Sequence, residues 1–153
     1  MQTFTEQQTD NLENVDYQKR IIGKIEGKKP GPTIIALAGV HGNEPTSIKA
    51  VEHVLEKVTG LEDKFNGTFI GIRGNLEALS KGERFIDEDM NRIWFTSILD
   101  KVRRTPFGEI LTAERRETKA VLEIIDPIIL NENKNETVIF ADLHTFSAET
   151  GLF

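Results

Sequence analysis

The sequence has no cysteine among its 153 residues. Both a disulfide framework and a thiolate metal site are therefore excluded, and any bound metal ion must be held by nitrogen and oxygen ligands. No run approaches the roughly 18 apolar residues of a membrane-spanning helix, and residues 1–16 are polar and acidic without the apolar segment of a secretory signal peptide. We expect a cytoplasmic location and no membrane partner.

The sequence also lacks an excess of basic charge. The net charge is −6, and the 19 Lys and Arg residues are dispersed among 25 Asp and Glu, so no basic stripe indicates nucleic-acid binding. An apolar content of 38% with 29% charged residues is typical of a soluble globular domain. We predict a polar tail over residues 1–16, which offer little to bury, and one domain over residues 17–153.

Hydrophobic patterning predicts alternating strands and helices. Strands are expected at Arg20 to Glu26 and Thr33 to Val40, separated by a turn-rich linker, and a third at Thr68 to Arg73. Apolar residues at helical spacing predict an amphipathic helix over TSIKAVEHVLEKV. The second strand is almost wholly apolar, which favours a central position covered on both faces.

The second half contains a long segment without clear periodicity. Residues 74 to about 106 read as an irregular loop, and loops of that length in a compact domain are usually either functional or wrongly assigned as loops. A helix is expected from about Thr112 to a break near Pro127, followed by a buried strand at TVIFADLH. This order predicts a three-layer α/β/α sandwich with a mixed sheet.

Two of the three histidines follow the two most apolar strands, His41 after TIIALAGV and His144 at the end of TVIFADL. Ligands bind beyond the carboxyl ends of strands in open α/β sheets. Glu44 lies three residues after His41, and Gly42 is expected to let the chain turn so that both side chains converge. Two imidazoles and a carboxylate are a known zinc set, although H-x-x-E alone also fits a helix-cap region with a surface glutamate.

Asp142 lies two residues before His144 and could orient its ring by accepting the second N–H. His53 falls opposite the apolar stripe of its helix, so it is expected to be a solvated surface histidine. The long loop also concentrates arginines, among them Arg84 and Arg92. Arginine binds carboxylates and oxyanions bidentately, whereas a lone loop arginine is more often only solvated.

Four motifs occur in order: GVHGNEP, NLEAL, RFIDEDMNRIW and DLHTFSAETG. With this order and spacing the chain, from Ile21 to its last residue, resembles the succinylglutamate desuccinylase and aspartoacylase family, relatives of the zinc carboxypeptidases. The resemblance implies a zinc-carboxypeptidase-like fold that is truncated at its C-terminal side. It also implies hydrolysis of the amide bond of a small N-acyl amino acid, with a homo-oligomer as a possible assembly.

The resemblance also implies roles for individual residues. One zinc ion would be bound by His41, Glu44 and His144, and Arg84 would polarise the scissile carbonyl. The remaining implied site residues are the substrate-carboxylate anchors Asn91 and Arg92 and the supporting groups Asp89 and Asp142. Met90 stands where the family usually has leucine, which is a volume-conserving change.

The family's catalytic glutamate, the general base, lies well downstream of the second histidine motif, so it is expected beyond Phe153. The only carboxylate after His144 is Glu149, which falls in an ordinary part of the motif. The given chain is therefore expected to be an inactive fragment of a zinc-dependent deacylase. Two alternatives stay open, namely a metallocarboxypeptidase-like enzyme or other deacylase, and a metal-binding module without catalysis.

Overall fold

The computed structural model describes residues 17–131 and 137–145. Glu149 and the whole of the expected polar tail, residues 1–16, lie outside the described residues. The helices and strands follow one another along the chain in this order: α1 (Tyr17–Arg20), β1 (Ile21–Glu26), β2 (Lys29–Ala38), α2 (Thr46–Val58), β3 (Asn66–Arg73), α3 (Leu76–Lys81), α4 (Thr96–Arg104), α5 (Ala113–Asn131) and β4 (Val138–Leu143).

The four strands form one mixed sheet with the spatial order β1-β3-β2-β4. β1 is antiparallel to β3, whereas β2 is parallel to both β3 and β4. Ala38, the last residue of β2, is in register with Leu143, the last residue of β4. The segments that follow β2 and β4 therefore leave the sheet side by side at the same edge.

Helices pack on both faces of the sheet because the side chains of β2 alternate in direction. Ile35 and Leu37 point to the larger core, which is formed with α4 and α5 and includes Val102, Val121, Leu122 and Ile125. Ala36 and Ala38 point to the smaller core, where Ile48 and Val51 of α2 pack. The α/β/α architecture with a mixed sheet is confirmed.

The stretch from residue 74 to 106 is not a continuous loop, as the sequence suggested. It contains α3, α4 and a single 3₁₀ turn at Met90–Arg92. α4 has one fully buried residue, Val102, and is otherwise largely polar, which left little apolar periodicity to detect. The longest irregular part that remains, residues 82–89, is short and lies at the site described below.

α5 continues past Pro127 to Asn131, although a break was expected there. Proline removes one helical hydrogen bond, but Ile124 and Ile128 on either side of it pack against the larger core. This packing stabilises the helix through the proline.

Two strand predictions also need correction. β2 begins at Lys29, inside the predicted linker, and its pairing with β3 is irregular between Lys29 and Thr33. Its two prolines occupy that irregular part, where proline is tolerated in sheets. β4 was expected to be buried, but Ile139 and Phe140 are 46% and 41% exposed, because β4 is the edge strand of the described sheet.

None of the helices in residues 17–131 has the length and apolar character that crossing a bilayer requires.

Candidate metal centre

The loop between β2 and α2 carries His41 and Glu44. Ser47, in the first turn of α2, closes this loop, because its hydroxyl accepts from the Gly39 N–H at 3.0 Å and donates to the Glu44 carbonyl at 3.2 Å. The Glu44 N–H donates to the His41 carbonyl at 3.2 Å. These bonds hold the His41 and Glu44 side chains on the same side of a compact turn.

His41 is 2% exposed. Its Nε2 lies 2.9 Å from Oδ1 of Asp89, and a carboxylate can only accept, so Nε2 carries the proton. Nδ1 then presents a lone pair. It is buried without a hydrogen-bond partner and lies 3.3 Å from Oε1 of Glu44, as expected of an atom that ligates a metal ion.

His144 repeats this arrangement from the neighbouring strand. Its Nε2 lies 2.7 Å from Oδ2 of Asp142, and its Nδ1 lies 3.7 Å from Oε2 of Glu44. The rings of His41 and His144 are 5.0 Å apart between centroids. Each imidazole therefore directs Nε2 toward an aspartate and Nδ1 toward the shared glutamate.

The donor set fits a single zinc ion. Ligand atoms of His41, Glu44 and His144 all lie within 4.8 Å of one another. Ligands at about 2.1 Å from a tetrahedral zinc are about 3.4 Å apart, close to the 3.3 and 3.7 Å separations of the two Nδ1 atoms from Glu44. Only a small closing movement is needed to complete three ligands, and an aspartate behind each histidine is the usual support for such a ligand.

Glu44 is the centre of the electrostatic network. Besides facing both imidazoles, its carboxylate accepts from the Thr145 N–H at 3.0 Å and from Nη1 of Arg84 at 3.2 Å. Burial raises the pKa of Glu44, but the Thr145 hydrogen bonds and the two histidines lower it by more than burial raises it. The pKa of Glu44 therefore lies below its ordinary value. Glu44 is therefore ionised, which a carboxylate needs to be in order to bind a metal ion.

The two aspartates differ in their protonation energetics. Burial raises the pKa of Asp89, but the His41 hydrogen bond, the Asn91 N–H and the charge of Arg84 outweigh it, so the pKa is lowered. Burial raises the pKa of Asp142 above its ordinary value in spite of His144. His41 thus has the more strongly ionised partner.

Arg84 lies at the open side of the group and is 44% exposed, with Nη2 at 3.6 Å from Oδ2 of Asp89. Asn91 and Arg92 belong to the 3₁₀ turn that begins next to Asp89, and the Asn91 N–H donates to Oδ1 of Asp89 at 2.9 Å. Within the described ranges the side chains of Asn91 and Arg92 make no hydrogen bond or ion pair. Their predicted role as anchors for a substrate carboxylate stays a prediction.

The predicted reason for Gly42 is wrong. Its φ is not positive, so the turn does not require glycine for its backbone angle. A Cβ at this position would instead lie 2.1 Å from the Ala78 carbonyl carbon and oxygen. Gly42 is needed because the histidine loop crosses the backbone of α3 at close range. His53, by contrast, is 66% exposed on α2, as predicted.

Glu114 was not singled out by the sequence. It is fully buried in the first turn of α5, and its carboxylate accepts from the N–H groups of residues 86–88. An acidic residue at the start of a helix is common because it complements the helix dipole. The sequence therefore offered no signal that Glu114 also binds the N–H groups of residues 86–88.

The chain is an α/β protein with a mixed sheet and a His-Glu-His group beyond two parallel strands, and this group could hold one metal ion. Residues 30–152 match the family described as the succinylglutamate desuccinylase/aspartoacylase catalytic domain, and the chain belongs to this family.

Similar proteins agree with this membership. A succinylglutamate desuccinylase of Pseudomonas paraeruginosa is 36% identical over 70 residues, which cover 46% of this chain and 21% of that protein. One from Pseudomonas fluorescens is 33% identical over 69 residues, covering 45% of this chain and 20% of that protein. The aligned part thus spans about a fifth of the length of these curated relatives.

Solved structures agree with the fold. A succinylglutamate desuccinylase of Vibrio parahaemolyticus superimposes with a TM-score of 0.58 at 18% identity, covering 79% of this chain and 33% of that one. The structure from Chromobacterium violaceum gives 0.54 at 24% identity, with 76% and 33% covered. The matched part is about a third of each solved chain.

Proposed function

We propose that the chain is part of a zinc-dependent hydrolase that cleaves the amide bond of an N-acyl amino acid, with N-succinylglutamate as the first substrate to test. The family supports hydrolysis of this kind, and the relatives are succinylglutamate desuccinylases. The observation that carries the proposal is the convergence of His41 Nδ1 and His144 Nδ1 on opposite oxygens of Glu44.

In this proposal His41, Glu44 and His144 hold the metal, which when bound would activate water and polarise the substrate carbonyl. Asp89 and Asp142 keep each Nε2 protonated, so that each Nδ1 stays available as a ligand. Burial of His41 and Glu44, which are 2% and 8% exposed, keeps water from competing for these donors.

Arg84 is the proposed donor to the scissile carbonyl oxygen as negative charge develops there. It is anchored by Glu44 and Asp89 but is 44% exposed, so its guanidinium borders both the metal ligands and the solvent from which substrate arrives. Removing one donor of this kind typically costs about 10² to 10³ in turnover.

Asn91 and Arg92 are the proposed anchors for the substrate carboxylate. Arg92 is exposed, and within residues 17–131 and 137–145 its guanidinium has no carboxylate partner, although the chain is acidic overall. A guanidinium without a partner beside a metal centre suits bidentate binding of a carboxylate. The negative charge of an acyl amino acid would supply the missing partner.

We further propose that the 153-residue chain by itself hydrolyses such substrates slowly. In the described ranges the carboxylates around the group are committed, Glu44 to the metal and Asp89 and Asp142 to imidazoles. General base catalysis contributes about 10² to 10⁴-fold. Turnover well below the usual enzyme range of about 1 to 10³ s⁻¹ is therefore expected.

Calorimetric zinc titration of the 153-residue chain tests the metal centre, followed by an assay of the zinc-loaded chain on N-succinyl amino acids, N-acetyl amino acids and short peptides. We expect one zinc per chain and at least a hundredfold weaker binding in His41→Ala and in His144→Ala. His53→Ala is the matched control and should change affinity less than twofold. Absence of stoichiometric zinc, or equal loss in the control, would refute the proposal, and cleavage of peptides alone would favour the carboxypeptidase alternative.

A further inference from the structure

Among the described residues outside the His-Glu-His group, Glu114 has the carboxylate with the most hydrogen bonds. Its Oε1 accepts from the Ile86 N–H at 2.7 Å and from Nδ2 of Asn75 at 3.1 Å, and its Oε2 accepts from the N–H groups of Asp87 and Glu88 at 3.0 and 3.1 Å. The side chain is 0% exposed. Three consecutive peptide groups are thus fixed by one carboxylate.

Side chains of residues 86–88 also accept hydrogen bonds from groups at the start of α5. Oδ2 of Asp87 accepts from the Ala113 N–H at 2.7 Å, which satisfies a free N–H at the start of α5. Oε1 of Glu88 accepts from the Thr112 hydroxyl at 2.6 Å and from Nε of Arg115 at 2.7 Å. Residues 86–88 therefore cannot rotate without breaking contacts on both sides.

Asp89 is the next residue in the chain, and its carboxylate fixes the His41 ring. The peptide direction at residue 88 decides where the Asp89 side chain leaves the backbone, because adjacent peptide planes share a Cα. Immobilising residues 86–88 thus immobilises Oδ1 of Asp89 at 2.9 Å from Nε2 of His41.

We propose that Glu114 is a positioning residue of the metal centre, acting through residues 86–88 and Asp89 on His41. This inference rests on the proposed zinc-binding function. Asn75 extends the same control to the histidine loop, because it caps α3 through the Ala78 N–H at 3.0 Å, and Ala78 is the backbone that Gly42 crosses.

A purely structural role accounts poorly for a charge at this position. α5 is anchored by Val121, Leu122 and Ile125, all buried, and a buried carboxylate is costly unless fully hydrogen-bonded. Burial raises the pKa of Glu114, but the three N–H groups and Asn75 lower it more, so the carboxylate stays ionised. The negative charge of Glu114 is stabilised by the N–H groups of residues 86–88 and by the side chain of Asn75.

The test compares zinc affinity in Glu114→Gln with that in Glu117→Gln. Glutamine has only one acceptor oxygen, so its NH₂ group would face backbone N–H groups of residues 86–88 that now donate to a carboxylate oxygen. Two donors facing each other cannot form a hydrogen bond. Glu117 is one turn further along α5 and bonds Arg20 and the Glu77 N–H instead, so it controls for loss of a carboxylate bond on the same helix. We expect Glu114→Gln to weaken zinc binding about 10 to 100-fold and Glu117→Gln to change it less than twofold.

A double-mutant cycle between Glu114 and Asp89 tests whether Glu114 acts on His41 through Asp89. If Glu114 acts through Asp89, Glu114→Gln should add less than threefold to the affinity loss of Asp89→Asn. Full additivity of the two losses in zinc affinity, or an unchanged zinc affinity in Glu114→Gln, would overturn the inference. The proposed function would still stand in that case, provided that the wild-type chain binds zinc. If Glu114→Gln does not fold, Asp87→Ala removes the reciprocal bond, and a loss of threefold or more supports the inference whereas no loss overturns it.

Discussion

Replacing Gly42 by alanine tests how closely the histidine loop must approach α3. The added Cβ would lie 2.1 Å from the Ala78 carbonyl atoms and 2.5 Å from the Glu83 carbonyl oxygen. Carbon contacts are ordinarily about 3.5 Å, so the two backbone segments must separate by about 1.4 Å. Backbone atoms cannot move aside as a flexible side chain would, and overpacking of this kind costs about 1–3 kcal/mol.

The same movement should damage the metal centre, because Gly42 lies between His41 and Glu44 and functional sites tolerate displacements of about 0.5 Å. For Gly42→Ala we expect a fall in Tm of about 3–10 °C and at least a tenfold loss of zinc affinity, measured by thermal unfolding and calorimetry.

Gly60→Ala is the control, since its φ is +82° and no atom lies within 4 Å of the position that a Cβ would take. It should cost about 1–2 kcal/mol through backbone strain alone and leave zinc affinity unchanged. Normal zinc binding in a folded Gly42→Ala variant would show that the close approach does not position the ligands.

Single contacts around the site give three more predictions. Asp89→Asn should weaken zinc binding about 10 to 100-fold, because an amide can hold His41 in the wrong tautomer; unchanged calorimetric affinity would argue against this. The Glu114 pKa is lowered on folding, so its stabilising contribution is present above the ordinary glutamate pKa of about 4.3 and is lost as pH falls through the lower folded value. The stability deficit of Glu114→Gln in urea unfolding should accordingly shrink below about pH 4, and a constant deficit down to pH 3 would contradict it. Arg92→Lys should raise the Kd of the zinc-loaded chain for an N-acyl amino acid by about tenfold, because lysine lacks the bidentate fork; an unaltered Kd with unaltered zinc affinity would remove Arg92 from the substrate site.

Elements with strong local patterns were predictable from the sequence. α2 was expected over Thr46–Val58 and has those bounds, because its apolar residues recur at helical spacing. α4 was missed, since it buries one residue fully and little marks its inner face. α5 was predicted to break at Pro127, but tertiary packing around the proline outweighs the lost hydrogen bond.

The convergence of His41, Glu44 and His144 was also predictable, because parallel strands bring their carboxyl ends to one edge of the sheet and each histidine follows such a strand. The residues close to His144 also predicted Asp142 as its partner, but no local pattern supplied the partner of His41. Asp89 reaches His41 across 48 positions of chain, and no local pattern reports a contact of that separation.

The sequence by itself determined the order of the four strands, helix α2, the start of α5, the sheet class and the set of side chains that could bind a metal, because these depend on hydrophobic period and on residue chemistry close along the chain. Only the tertiary structure decided that β4 lies at the edge of the described sheet, that Gly42 serves a close backbone crossing and that Glu114 fixes the loop before Asp89. Each of these depends on which distant segments meet. Contacts between distant segments depend on how the whole domain packs, and the local sequence pattern does not report them.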